Sequence, residues 1–438
     1  MPSMDIAPKA KRTNKVQFDK KETEKLKKAL EGSNKPSNFG QNGGSKKFFQ
    51  KKFWKEWTKG EKAVFLVVLI AAASVVGFLL YRFYYMKPKP SKPEVQIEEK
   101  GSEGPMMKSP LTGIDVPTAN AKQTPMMVII ENLSTVRPQS GMSKADIIYE
   151  FLAEGGITRF GVVFGTNDVT EPDLIGPVRS LRSYFIPISL ELLAPVYHVG
   201  GAPNALERAR EWGMRDVNQF FDAKYFWRDS AVNGQGSPHN VWTRMPETKL
   251  AIHNHWPTDD AVNIDAWKFK NEALIAERGN ISNIIVPFSS GNYNVRWQYD
   301  SKKNRFDRFN FEEAHTDRNN KEQLTARNIV VQYCGVGGLT GDDKGRLEIQ
   351  NDQGEGDALV FYDGKVIEST WKKSDKNTRT KFYKRGTTEE VEFIPGNFWI
   401  EVVPTDKEVT WEDGNGKTEE GASGEASETG ETTGYDEL

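Results

Sequence analysis

The chain has 438 residues, of which 27% are charged and 37% are hydrophobic, as in globular proteins with room for two or three domains. Its net charge of −2 averages opposite ends, since residues 1–62 carry about ten more basic than acidic side chains and residues 405–438 are acidic by about nine. The single cysteine, Cys334, excludes an intrachain disulfide, a multi-cysteine metal site and a lipobox for a lipid anchor in this sequence.

The N-terminal part of the sequence predicts a membrane anchor behind a basic arm. Residues 1–62 are rich in Lys, Asn, Gly, Ser and Gln, which is typical of disorder. Residues 63–80 form an uncharged run of about eighteen residues with aromatic flanks, enough to cross a hydrocarbon core of roughly 30 Å. We therefore expect a single transmembrane helix over residues 63–85. The preceding lysines place the N-terminus in the cytoplasm and the later residues outside.

Two alternatives for this part of the sequence are disfavoured. A buried core helix would carry a polar face, which residues 63–80 lack. Nucleic-acid binding by the arm would require stacking aromatics among its charges. A Pro- and charge-rich linker is predicted over residues 86–109.

From residue 110 onward the patterns predict two folded domains behind the anchor. Residues 110–280 combine buried strands such as Met126–Glu131 with helices near residues 203–212 and 265–279, which favours an α/β (α+β) N-terminal domain. Residues 281–404 hold short strands between turns, which predicts a smaller, mainly-β C-terminal domain. Residues 405–438 have the composition of an acidic, disordered tail.

Three arginines are the first candidates for function. Arg179 and Arg182 are three residues apart, which predicts that both guanidiniums leave one side of a helix start. With Arg159 and Ser180 they form a set suited to phosphate or carboxylate, because arginine donates two parallel hydrogen bonds to such groups. The alternative is that the arginines form structural ion pairs with acidic residues: Asp146, Glu150 and Glu154.

Two histidines are candidates for general acid–base catalysis. His198 ends a predicted strand, and His239 lies before Asn240 in a glycine-rich loop. Glu150 or Glu154 could orient the imidazole. A structural histidine is the alternative at both positions.

No metal or cofactor site is predicted. The cluster His253-Asn254-His255 has ligand types without the spacing that a helical metal site needs. The run Gly414–Thr418 lacks the first glycine of a phosphate-binding loop. Cys334 follows a strand without an activating partner, which indicates a buried thiol.

Several ordered motifs resemble the YerB-like lipoprotein family of bacterial envelopes. They are GMSKADIIYEFLAEGGITRFGVVF at 141–164, IGPVRSLRSYF from 175, HVGGAP from 198 and SPHNVWT at 237–243. The runs GEGDALVFYDGKVIESTWKK at 354–373 and PGNFWIEVVP at 395–404 resemble the C-terminal module of that family. The resemblance implies a two-domain protein outside the cytoplasmic membrane, and it implies no activity because the family's function is unknown. This chain departs from the family by its transmembrane run in place of a lipidated cysteine.

These observations favour a membrane-anchored envelope protein that binds an anionic ligand in an Arg/His cleft. Lipid-linked phosphates and anionic wall glycans are the expected ligands, and the membrane and envelope proteins are the expected partners. One alternative is a phosphoryl or glycosyl transferase or hydrolase that acts on cell-wall precursors. The other is a scaffold for wall-assembly proteins.

Overall fold

The computed structural model describes residues 58–84, 105–165, 174–257, 262–342 and 344–421. Contacts divide the chain into two compact units, one that ends at Glu99 and one that begins at Lys100. The predictions for residues 1–57, for residues 85–104 of the linker and for residues 422–438 lie outside the described residues.

The first unit contains helix α1 (Lys59–Tyr84). Its apolar side chains are exposed along several faces, as Val64, Val67 and Val68 illustrate. The run predicted over residues 63–85 is thus helical as far as Tyr84, the last of its residues that the structure describes. Within the described part of the chain, however, no helix is both long enough and apolar enough to cross a membrane, so the transmembrane prediction is not supported.

The second unit is rich in β-structure. Its strands, numbered along the chain, are β1 (Met106–Lys108), β2 (Asp115–Pro117), β3 (Met126–Glu131), β4 (Ile147–Leu152), β5 (Thr158–Phe164), β6 (Leu174–Ile175), β7 (Val196–His198), β8 (Asp216–Asn218), β9 (Trp227–Arg228), β10 (Val241–Arg244), β11 (Lys268–Phe269), β12 (Ile281–Pro287), β13 (Asn294–Asp300), β14 (Arg305–Asn310), β15 (Glu313–Ala314), β16 (Thr325–Ala326), β17 (Asn328–Cys334), β18 (Val336–Gly338), β19 (Leu347–Ile349), β20 (Gly354–Tyr362), β21 (Lys365–Lys373), β22 (Lys381–Lys384), β23 (Glu392–Phe393), β24 (Phe398–Pro404), β25 (Thr410–Asp413) and β26 (Thr418–Glu420).

Helices are short in this unit. The α-helices are α2 (Thr118–Lys122), α3 (Ile186–Leu192), α4 (Pro203–Glu211) and α5 (Met245–His255). Single 3₁₀ turns lie at Ser134–Val136, Met142–Lys144, Glu154–Gly156, Ser183–Phe185, Ala223–Tyr225, Ile275–Glu277 and Gly291–Tyr293.

A ten-stranded mixed sheet, in the order β22-β21-β20-β17-β24-β4-β5-β3-β7-β8, forms the centre of the second unit. Strand β24 lies parallel to both β17 and β4. The two segments predicted as domains, 110–280 and 281–404, therefore contribute strands to one sheet. The sheet-rich character agrees with the predicted fold class, but the N-terminal segment has less helix than an α/β domain.

Alternation along β3 explains why both faces of this sheet are covered. Val128 and Ile130 lie in one apolar cluster with Ile284 and Trp297. These two residues belong to a second sheet, whose strand order is β15-β14-β13-β12-β25-β26 and in which β16 also pairs with β14. Ile129 lies in the other cluster, with side chains of α3 and α4. Strand β3 is continuously apolar because it is buried on both sides.

Two local predictions are wrong. Residues 265–279 form strand β11 and the turn Ile275–Glu277 instead of a helix, because Phe269 pairs with Phe393 in a parallel bridge. The acidic tail predicted from residue 405 begins with ordered strands β25 and β26, because Trp411 is buried and pairs with Ile284 of β12.

Candidate functional site

The segment that carries Arg179 and Arg182 is extended. Val178 bridges Ile130 of β3, and the first helical turn begins later, at Ser183. The predicted helix start at the two arginines is therefore wrong, because backbone pairing of this segment with the end of β3 prevails over the local pattern. In an extended chain, residues an odd number apart point to opposite sides.

Arg159 and Arg182 share the carboxylate of Glu154. The Nε–H of Arg182 donates a hydrogen bond to Glu154 Oε1. Arg159 Nη2 lies 3.8 Å from Glu154 Oε2, and its Nη1 donates to the carbonyl of Ser180 at 3.1 Å. Burial, with a smaller effect of the Arg182 charge, lowers the pKa of the Arg159 guanidinium to about 10. Both guanidiniums are thus paired with the same carboxylate within the fold.

Burial also acts on Glu154, where it tends to raise the pKa. The hydrogen bond and charge of Arg182, with the charge of Arg159, outweigh it, so the pKa of Glu154 lies below its ordinary value. This carboxylate is therefore held ionised by the arginines. Among the hydrogen bonds of the described residues, none joins Glu154 to His198 or His239.

Glu131, which ends β3, joins Arg179 to His239. Its side chain is buried, and Oε1 lies 3.0 Å from Arg179 Nε. The Nε–H of Arg179 is not aimed at this oxygen, so the contact is an ion pair without a linear hydrogen bond. His239 Nδ1 lies 2.9 Å from Glu131 Oε2, and Arg179 Nη1 donates to the carbonyl of Pro238 at 3.3 Å.

This contact fixes the orientation of the His239 imidazole. An ionised carboxylate only accepts hydrogen bonds, so Nδ1 carries the hydrogen and the lone pair of the neutral ring lies on Nε2. The Nδ1 contacts of His239 are with Glu131, and its side chain is 26% exposed. Nε2 is therefore the atom available to a ligand.

Arg228, the last residue of β9, contacts the loop that carries His239. It is exposed, and its guanidinium donates to three neutral side chains: Ser237 Oγ at 3.4 Å, Asn240 Oδ1 at 3.2 Å and Gln219 Oε1 at 3.4 Å. Among the described residues, Arg228 forms no ion pair. Asn240, predicted as a binding residue, is itself held by a hydrogen bond to Ser230 Oγ at 2.8 Å.

His198 is structural. It is fully buried, with Nδ1 at 2.7 Å from the carbonyl of Gly200 and Nε2 at 3.1 Å from Asp216 Oδ1. Because both ring nitrogens are used, no nitrogen is left for a substrate. The contacts of His198 therefore do not favour a catalytic role.

Glu150 belongs to a buried network instead of a catalytic pair. Its carboxylate accepts from Arg308 Nη2 at 2.6 Å, Thr158 Oγ1 at 2.5 Å and Trp399 Nε1 at 3.2 Å. These bonds place it between the two sheets, and the predicted orienting role falls to Glu131.

Cysteine and metal chemistry find no support in the described part of the chain. Cys334 is buried, and burial raises the pKa of its thiol. No group of three or more His, Cys, Asp or Glu side chains within the described ranges is arranged to hold a metal ion.

Two residues of the site were missed from the sequence. Glu131 is the one charged residue of the run MMVIIE, and a charge at the end of an apolar strand is a signal that could have been used. Arg228 stands next to Trp227 in an aromatic stretch and offers no comparable signal.

Comparison with known proteins agrees with the motifs noted above. Residues 111–257 match the family model "Protein of unknown function (DUF3048) N-terminal domain", and residues 284–400 match the corresponding C-terminal domain. The putative lipoprotein YerB of Bacillus subtilis (strain 168) is 32% identical over 309 residues, which cover 68% of this chain and 86% of the relative.

A solved structure extends the likeness to the fold. The crystal structure of YerB from Bacillus subtilis has a TM-score of 0.59 and 30% identity to this chain, over 68% of this chain and 96% of that one. The resemblance to YerB-like proteins is thereby confirmed. The chain belongs to the YerB-like family, DUF3048, of proteins of unknown function.

Proposed function

We propose that this chain is an envelope protein whose folded unit lies outside the cytoplasmic membrane and binds an anionic ligand. The ligand carries phosphate or carboxylate and binds at a surface formed by Arg228, Ser237, His239, Asn240 and Gln219, here named the Arg228 surface. The name of the Bacillus subtilis relative, a putative lipoprotein, supports the envelope location.

The observation that carries the proposal is the set of partners around Arg228. Among the described residues, the exposed Arg228 guanidinium donates to neutral oxygens at 3.2–3.4 Å and has no anionic partner. An anion that replaced these contacts would gain charge-assisted, bidentate hydrogen bonds at little cost. With a hydrogen on each ring nitrogen, the His239 imidazolium donates from Nε2 to the anion while Nδ1 stays on Glu131, which Arg179 also contacts.

Of the three arginines predicted from the sequence to bind the ligand, Arg159 and Arg182 are therefore no longer proposed for direct contact. Arg159 and Arg182 are paired with Glu154, and removal of a partner from a buried ion pair is costly. An external anion would have to compete with that carboxylate. We assign direct binding to Arg228 and His239, and a supporting role to Arg179.

Attachment to the membrane through α1 is part of the proposal. The exposed apolar side chains of α1 need a cover, and a bilayer provides one. The only cysteine is buried in β17, so it is not an acceptor for lipid. Crossing by α1 and a cytoplasmic N-terminus are proposed on the sequence pattern alone, since no helix in the described part of the chain meets the length and apolarity of a membrane span. Release of the full chain from membranes by alkaline carbonate would contradict attachment by an embedded helix.

Calorimetric titration with inorganic phosphate tests the anion site. Arg228→Gln should weaken binding by about tenfold or more, because a hydrogen bond to a charged group contributes roughly 1.5–3 kcal/mol. Arg305→Gln is the control, since Arg305 is half-buried and pairs with Asp307 at 3.1 Å. Equal affinity of Arg228→Gln and the unchanged protein, or no binding by the unchanged protein, would refute the assignment.

The pair Glu131–His239 supports a second candidate, a hydrolase or transferase that acts on the same ligands. A carboxylate on Nδ1 orients the imidazole so that Nε2 can take the proton of an attacking water and return it to the leaving oxygen. With bis-p-nitrophenyl phosphate as the probe, His239→Gln should abolish turnover, and Glu131→Gln should lower kcat while phosphate affinity changes little. Absence of turnover by the unchanged protein would exclude phosphodiester hydrolysis. The other alternative, a scaffold for wall-assembly proteins, stays a prediction from the sequence.

A further inference from the structure

Two adjacent phenylalanines project from the turn that follows β8. Phe221 is 86% exposed and Phe220 is 66% exposed, although large apolar side chains are normally buried. Residues 219–222, which contain both rings, are named here the Phe tip.

The backbone of the Phe tip is fixed by a buried asparagine. Asn218 Oδ1 accepts from the backbone N–H of Gly200 at 3.0 Å and of Phe220 at 3.2 Å. The Asn218 carbonyl accepts from the N–H groups of Phe221 and Asp222, each at 2.8 Å. Exposure of the rings is thus imposed by an ordered turn.

Gly200 shows how closely the tip packs on the fold. Its φ is +55°, and a Cβ added there would lie 2.7 Å from Phe220 Cε2. One edge of the Phe220 ring therefore rests on backbone, and the remainder faces outward together with Phe221.

The Phe tip is continuous with the Arg228 surface. Gln219, the first residue of the tip, accepts a hydrogen bond from Arg228 Nη2 at 3.4 Å. Lys224, also exposed, follows two residues after the tip. Two exposed aromatic side chains and two basic side chains thus lie within residues 219–228, and the acidic residue of the tip, Asp222, is in contact with His255 Nε2 at 2.8 Å.

We propose that this part of the surface docks on an anionic lipid bilayer, with the Phe tip inserted at the interface and a lipid headgroup bound at the Arg228 surface. This inference rests on the proposed anion site and names its ligand class. Apolar rings beside basic side chains are the combination that binds anionic membrane interfaces, because burial of the rings and attraction to the headgroups act together. Attachment of the same chain through α1 would raise the local concentration of lipid.

Vesicle sedimentation of the unit Lys100–Leu438 tests the proposal without a contribution from α1. This unit has its own buried clusters, and the crystallised relative corresponds to 68% of the chain. It should bind phosphatidylglycerol-containing vesicles and not pure phosphatidylcholine vesicles. Phe221→Ser, and Phe220→Ser with Phe221→Ser, should each weaken vesicle binding by about tenfold or more, as expected for loss of one or two buried rings.

The control is a second exposed apolar pair on the same unit. Leu274 is 71% exposed and Ile275 is 68% exposed, and their neighbour Glu272 is ion-paired to Arg278 and Arg327. Leu274→Ser with Ile275→Ser should leave vesicle binding unchanged. An equal loss from this control would show that vesicle binding is non-specific, which would overturn the proposal.

Phosphate titration separates this inference from the proposed function. The Phe-tip variants should bind inorganic phosphate as the unchanged unit does. Phosphate binding without vesicle binding would overturn the inference and leave the anion site intact, with a soluble ligand. If the unchanged unit does not bind phosphate, both the proposed anion site and the proposed bilayer docking are overturned.

Discussion

At the scale of residues, the buried network between the two sheets contains two carboxyl groups, Glu150 and Glu401, and one arginine, Arg308, that pairs with Glu150. Arg308 is fully buried, bonds Glu150 Oε2 at 2.6 Å and lies 4.5 Å from the Trp399 ring centroid. Glu401 is also buried and accepts from Trp297 Nε1 at 2.9 Å. Burial, followed by the charge of Glu150, raises the pKa of the Glu401 carboxyl well above its usual 4.5. Glu401 is therefore protonated in the folded protein well above pH 4.5.

A raised pKa makes stability depend on pH. Above the ordinary carboxyl pKa the unfolded chain releases the Glu401 proton and the folded chain keeps it, so stability falls as pH rises toward the folded pKa. The slope is about 1.4 kcal/mol per pH unit within that window. Glu401→Gln, which mimics the protonated form, should lack this fall and be at least as stable at neutral pH in urea unfolding. Glu355→Gln, at an exposed position, should behave as the unchanged protein, and an unaltered slope in Glu401→Gln would contradict the account.

Partners of charged residues were only partly predictable from the sequence. The pairing of Arg182 and Arg159 with Glu154 was one of the alternatives, since Glu154 is near Arg159 in sequence. Glu131 meets Arg179 and His239 because Val178 pairs with Ile130 of β3 on one side and donates to the carbonyl of Val241 on the other. Such contacts depend on the sheet topology, which local patterns do not contain.

At the scale of elements, α3 is joined to the β21–β22 hairpin by one buried carboxylate. Glu191 accepts from Lys373 Nζ at 2.5 Å, Arg379 Nη1 at 3.1 Å and the N–H of Thr380 at 3.0 Å. Burial tends to raise the pKa of Glu191, but Lys373 and Arg379 outweigh it and the pKa is lowered. Two buried cations thus depend on one anion.

Loss of this anion should destabilise the second unit strongly. Glu191→Gln leaves Lys373 and Arg379 buried without a carboxylate, and the expected loss of unfolding free energy is about 3–5 kcal/mol. Glu207→Gln, on the exposed side of α4, should change it by less than about 0.5 kcal/mol. Urea midpoints measure both. A Glu191→Gln midpoint close to that of the control would show that the ion pairs contribute little.

Elements with an apolar pattern of their own were predictable, and elements set by long-range pairing were not. Strand β3 has the bounds predicted from its continuous apolar run, and α4 differs by one residue at its end. The helix expected at residues 265–279 fails because Phe269 pairs with β23, more than a hundred residues later. Tertiary contacts there override weak local preferences.

At the scale of the whole molecule, the two family segments depend on each other. Strand β24, from the second segment, pairs with Ile147–Phe151 of the first, and Ile400 is fully buried. Without β24, strand β4 would expose a long apolar edge. The boundary near residue 280 is therefore a boundary in sequence between parts of one sheet.

The shared sheet predicts cooperative unfolding. The unit Lys100–Leu438 should unfold in urea in one transition, coincident by tryptophan fluorescence and circular dichroism, because the central strands join both segments. A fragment of residues 100–280 should lack a cooperative transition. Two separated transitions, or a stably folded fragment, would show that the segments are independent.

The most direct test of the central assignment is the Arg228 side-chain signal. The Nε–H resonance of Arg228 should be followed by nuclear magnetic resonance during titration of the unit Lys100–Leu438 with inorganic phosphate. An anion at the Arg228 surface predicts a saturable shift of this resonance, and the resonance of the ion-paired Arg305 should stay in place. A stationary Arg228 resonance at phosphate saturation would contradict the proposed site.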